Sequence, residues 1–93
     1  MKITITDTSW GIDRRTGNRS ERVVAQETFA LAVGLLPEIG PAKRVFEVTK
    51  LTENSVTILL NIKGDTTTIK RGGQYFYRPM SMDGGHYYLL EVE

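Results

Sequence analysis

The chain has no cysteine, which removes a disulfide framework, a thiolate nucleophile and a thiolate metal site together. It has one histidine, His86, so no two-histidine metal site can be assembled from a single copy. No apolar run approaches the roughly 20 residues that a membrane-spanning helix needs. Met1 to Asp7 lacks the apolar stretch and small-residue cleavage site of a secretory leader. A cytoplasmic protein without membrane contact is the expectation, although a secreted form with its leader removed would read the same.

Excess charge of one sign is also missing. Twelve Lys and Arg against 11 Asp and Glu leave a formal charge of +1, so nothing global draws the chain to nucleic acid or to an anionic membrane. Carboxylates do not cluster: Asp7, Asp13, Asp65 and Asp83 each sit beside Gly, Thr or Arg, where aspartate commonly serves turns. Asp13 to Asn18 falls short of the acidic alternation of a calcium loop. Arg71-Gly72-Gly73 lacks the Lys-Ser/Thr of a phosphate loop, and its glycines suit a bend between strands. No metal, cofactor or catalytic set is therefore expected.

What is present is strand signal. Ninety-three residues make one domain, 1–93, with no room for a second core. Its last third runs Ser55–Ile62, Thr66–Lys70, Gln74–Arg78 and His86–Val92, rich in β-branched and aromatic residues and separated by Gly, Asp or Pro. Lys2 to Thr6 alternates, with Ile3 and Ile5 on one face. Lys43–Leu51 and Val56–Ile62 flank a short turn and read as a hairpin. Pro37–Pro41 is a loop. The predicted fold is a single all-β domain of six or seven mostly antiparallel strands, a small sandwich or partly open barrel.

Two segments are ambiguous. Residues 7–20 form a long polar loop or, alternatively, a hairpin turning at Thr16-Gly17-Asn18 with Trp10 and Ile12 on one arm and Val23 on the other. Residues 21–36 carry helix-favouring alanines behind a Ser20 cap. They also carry a period-two run with Phe29, Leu31, Val33 and Leu35 on one face, and the run favours strand over a helix that would make the fold α+β. The predicted core draws on Ile3, Ile5, Phe29, Leu31, Val33, Phe46, Val48, Val56, Ile58, Leu60, Ile69, Phe76 and Leu89. Leu59-Leu60 and Leu89-Leu90 put apolar groups on both faces, which points to a covering layer or to a homo-oligomer formed through a sheet face or edge.

Two constellations suggest binding. Arg14, Arg15, Arg19 and Arg22 lie near Trp10, and arginine forks bind anions and stack on aromatic rings. Lys70 and Arg71 precede Tyr75-Phe76-Tyr77-Arg78. If Phe76 fills the core, Tyr75 and Tyr77 face outward, and Tyr87 or Tyr88 joins them across an antiparallel pair. The expected function is a non-catalytic binding or assembly module that recognises a protein through this tyrosine-rich sheet face. The alternative is an OB-like binder of single-stranded nucleic acid using Lys70, Arg71, Arg78 and the arginine stretch with the same aromatics. It requires the two basic stretches on one continuous surface. An enzyme built on His86 is a third reading, and it needs that imidazole in a concave pocket near Asp83 or Asp13.

Overall fold

The computed structural model describes residues Met1–Glu93 as nine strands with no helix, and hence no helix that could cross a membrane. They are β1 (Lys2–Ile12), β2 (Arg19–Ala30), β3 (Glu38–Ile39), β4 (Arg44–Val45), β5 (Glu47–Leu51), β6 (Ser55–Leu59), β7 (Thr66–Lys70), β8 (Gln74–Tyr77) and β9 (Gly84–Val92). The architecture is all-β and antiparallel throughout. One sheet has the order β2-β1-β9-β8, a second β5-β6-β7, and β3-β4 forms a two-stranded ribbon. Since β3 and β4 have two residues each, the substantial strands are the seven at the top of the predicted range.

The long polar segment resolves as the hairpin. Asp13 N–H bonds Asn18 O at 2.9 Å and Gly17 N–H bonds Asp13 O at 2.7 Å, with Gly17 at φ 73°. The Asp13 side chain accepts from Arg15 N–H, so this aspartate shapes the turn, as aspartate does where it replaces a backbone acceptor. β1 then pairs with β2 from Ile12 opposite Arg19 to Lys2 opposite Ala30. The register slips once: Asp7 opposes Ala25 while Thr8 opposes Val23, so Val24 is the extra residue of a β-bulge.

The ambiguous segment is strand as far as Ala30 and turn beyond it; the helix alternative is not formed. The period-two pattern continues in sequence to Leu35, but β1 pairs only as far as Lys2, opposite Ala30. The last bond across this pair runs from Leu31 N–H to Met1 O at 3.1 Å. The chain turns through Gly34 (φ 88°), whose N–H bonds Val48 O at 2.9 Å, and so crosses to the second sheet. Val33 is consequently 64% exposed and not in the core.

The core lies where the inner faces of the two sheets meet. Ile3, Ile5, Tyr88, Leu90 and Val92 come from the four-stranded sheet, and Val48, Val56, Ile58 and Ile69 from the three-stranded one. Ile39, Phe46 and Leu60 close it. Phe46 meets Tyr88 and Tyr77 edge to face, with centroids 5.6 and 6.0 Å apart, an arrangement that adds to simple burial. Besides Val33, two more expected core residues lie elsewhere. Tyr75 opposes Leu90 and Tyr77 opposes Tyr88, which puts both tyrosines inward and turns Phe76, opposite Leu89, to the outer face. Phe76 is 50% exposed, Leu89 is half-buried, and Tyr75 and Tyr77 pack against the core.

These placements separate two substitutions that look alike in sequence. Phe46→Ala is expected to cost about 3–5 kcal/mol by opening a cavity at the core. Val33→Ala is expected to stay within about 0.5 kcal/mol of the parent. Urea denaturation of the two variants measures both.

Candidate functional site

Side chains alternate across a strand, so the pairing of β1 with β9 sorts the four-stranded sheet into two surfaces. Asp7 opposes Tyr88 and Ser9 opposes His86 on the inner face; Thr8 opposes Tyr87 and Trp10 opposes Gly85 on the outer one. Each face assembles a distinct group of polar and aromatic side chains.

On the outer face, Trp10 is the centre. Its indole is 6% exposed although no second sheet covers it. The cover is two guanidinium groups: Arg19 at 5.0 Å from the ring centroid and Arg78 at 4.8 Å. Arginine stacked on an indole face is held by the ring quadrupole, at about 0.5–1 kcal/mol each where partly solvated. The indole Nε1 is buried without a partner. Next to this clamp Phe76 lies against Tyr87, centroids 4.8 Å apart, and the Tyr87 hydroxyl donates to Glu21 Oε2 at 3.0 Å. That hydrogen bond, with Arg19 and Arg78 adding to it, holds the Glu21 carboxyl below the usual carboxylate range. Arg19 also pairs with Glu21 at 2.6 Å. One patch thus combines an exposed phenylalanine on a half-buried tyrosine, a covered tryptophan and two arginines.

On the inner face a cleft of about 610 Å³ opens at the end of the core, between β9, the β3–β4 ribbon and the β6–β7 turn. His86 lines it. Its Nδ1 donates to Asp7 Oδ1 at 2.7 Å, and Nε2 has no partner in the protein. Asp7 is fully buried, and its Oδ2 is unbonded. Gly40, at φ 78°, packs against that oxygen so closely that a Cβ there would lie 1.9 Å from it. Beside His86 the Arg44 guanidinium sits 5.6 Å from the ring centroids of both Tyr77 and Tyr88. Burial pushes the Tyr88 hydroxyl above the usual tyrosine value, and the nearby Asp7 carboxylate adds to this.

The structure disperses the residues singled out from sequence. Trp10, Arg19, Arg78 and Tyr87 come together on the outer face. Arg14 pairs with Asp83 beyond the end of β1, and Arg15 lies exposed in the hairpin turn. Lys70 and Arg71 sit at the opposite end of the sheet, where Gly72 N–H bonds Val92 O. Nine residues of β9 separate the two ends, about 30 Å at strand rise, so the basic stretches do not share a surface. Tyr75 and Tyr77 face the core. His86 is in a concave site, but its carboxylate is Asp7; Asp83 and Asp13 are engaged with Arg14 and the hairpin turn. The Ser81 hydroxyl donates to Gly84 O, and the imidazole's hydrogen bond goes to Asp7.

Comparison with protein families, curated proteins and solved structures finds no match. The chain's own residues carry the functional reading. Sequence reasoning missed Lys43, Arg44 and the role of Asp7. A signal for Asp7 was present: it continues the Ile3, Ile5 face at period two, where a carboxylate must be buried and therefore paired. Arg44 had none, because its place beside His86 depends on the β3–β4 ribbon folding over β9.

Two measurements follow from this geometry. Gly40→Ala puts a side chain into a left-handed backbone position and drives it into the buried Asp7 carboxylate, so a loss of more than about 2 kcal/mol is expected in thermal or urea unfolding. In an ultraviolet titration of tyrosine, Tyr88 should give a late step above the ordinary value of 10.0. Its folded value is raised, so the unfolded chain releases this proton first, and the corresponding stability is intact below pH about 10 and lost as pH rises beyond it. Tyr88→Phe should remove that late step.

Proposed function

We propose that this domain is a non-catalytic binding or assembly module that recognises a protein through the outer face of its four-stranded sheet. The observation that carries the reading is Phe76, 50% exposed, packed on the half-buried Tyr87 beside Trp10 and its two arginines. Aromatic residues and arginine supply most of the energy at protein interfaces, because they bury large area with few rotors and keep a polar end. A half-exposed phenylalanine on an open sheet face is an apolar anchor ready for a partner. Around it Glu21, Arg19 and Arg78 form a charged rim of both signs, which suits a mixed protein surface more than a polyanion.

The nucleic-acid reading draws less support from the same residues. Base stacking needs an open ring face, and two guanidinium groups already lie over the Trp10 ring, which is 6% exposed. Lys70 and Arg71, which would track the phosphates, lie at the far end of the sheet.

Photocrosslinking tests the proposal directly. A benzophenone side chain at position 76 is expected to trap one defined protein in cells that produce the domain, and the same group at Thr49 on the other sheet is not. Combined Tyr87→Ala and Arg78→Ala substitution should weaken purified complex formation by about tenfold or more. Equal trapping from both positions, or none from position 76, would remove this face from recognition. A crosslink to a second copy would identify the partner as this chain itself.

A further inference from the structure

The inner-face cleft has the chemistry of an anion site with an apolar wall. Its cations outnumber its anions: Lys43 and Arg44 against Glu47, before His86 is counted. Ion pairs within 4.0 Å are confined to Arg14–Asp83, Arg19–Glu21 and His86–Asp7, so neither Lys43 nor Arg44 has a carboxylate partner. Arg44 is nevertheless held in place, because two tyrosine rings support its guanidinium. The guanidinium also acts on the Tyr88 hydroxyl as a hydrogen-bond donor, and its other donors remain for an anion in the cleft.

The imidazole is also fixed. Asp7 occupies Nδ1 and orients the ring, which leaves Nε2 as the nitrogen available to a ligand. Asp7 is in turn locked by Gly40 behind it. Lys43 supplies an independent sign. It is the single non-glycine residue at positive φ, 52°, in the turn that joins β3 to β4, where its N–H bonds Gly40 O at 3.0 Å. A left-handed lysine carries a steric cost that glycine would not. Strained residues of this kind concentrate at ligand clamps, where the side chain is worth its strain. Much of the remaining wall is apolar, with Leu36, Phe46, Leu59, Ile62 and Pro79, and Asn61 and Ser81 also line it. The volume falls within the range of small-molecule sites.

We propose that this cleft binds a small organic carboxylate with an apolar body, its carboxylate held by Arg44, Lys43 and His86 Nε2 and its body laid against Phe46, Leu59 and Ile62. The site opens on the opposite face of the sheet from Phe76 and Tyr87, so its occupancy is independent of the protein-recognition reading.

Because His86 is the one histidine in the sequence, its ring signals in a long-range nitrogen–proton NMR spectrum are unambiguous. Phenylacetate is the probe, and 2-phenylethanol, its neutral counterpart, is the control. Phenylacetate should shift the His86 Nε2 and ring-proton signals saturably, with half-saturation at about 1 mM or below, while 2-phenylethanol should bind at least about tenfold more weakly. Arg44→Gln should weaken phenylacetate binding by about tenfold or more. Lys43→Gly separates binding from folding: it should raise the melting temperature by relieving the backbone and still weaken the acid. Non-saturating shifts, equal response to acid and alcohol, or binding unchanged in both variants would overturn the proposal.

Discussion

The pairing of β1 with β9, from Ile3 opposite Val92 to Gly11 opposite Gly84, decides which side chains of the main sheet meet core, cleft or solvent. Its period of two leaves no intermediate choice. A slip of one residue on β9 would take Tyr88 and Leu90 out of the core and put Tyr87 and Leu89 in their place. The apolar face of β1, Ile3 and Ile5, cannot tolerate that exchange, because both are fully buried against the second sheet. Register is therefore set by the core and inherited by both candidate surfaces.

The bulge at Val24 extends this logic to β2. Without the extra residue, Arg22 would oppose Trp10 and Ser20 would oppose Ile12. With it, Glu21 and Arg19 take those positions, and the outer face acquires the carboxylate that receives Tyr87 and the guanidinium that covers Trp10. One inserted residue near the middle of a strand thus determines the charge pattern of its distal half. Bulges often re-aim side chains in this way at the edges of sheets.

Fold class was legible because β-branched runs and turn residues alternate so regularly along the chain, and the hairpin at Thr16-Gly17-Asn18 was visible among its alternatives. Orientation was less so. Tyr75, Phe76 and Tyr77 fit either face by composition; Leu90, which stacks inward opposite Tyr75, breaks the tie, and that pairing is a non-local fact. Likewise, Phe29 to Leu35 alternate well enough for strand throughout, but alternation cannot indicate where the neighbouring strand stops. Of the cleft, His86 was evident as a lone imidazole. Its carboxylate lies 79 residues away, a separation that only tertiary structure closes.

The first five residues of β2, Arg19 to Val23, are exposed throughout, so the far half of the β1–β2 hairpin has little core beneath it. There β1 is still held to β9 as far as Gly11 opposite Gly84, while β2 is tied across the outer face by Glu21 to Tyr87 and by Arg19, which with Arg78 covers one indole. That indole is the only tryptophan in the chain. Its fluorescence therefore reports the guanidinium cover on the outer face of the sheet rather than the packing between the two sheets, and the protein carries its own optical gauge of that cover.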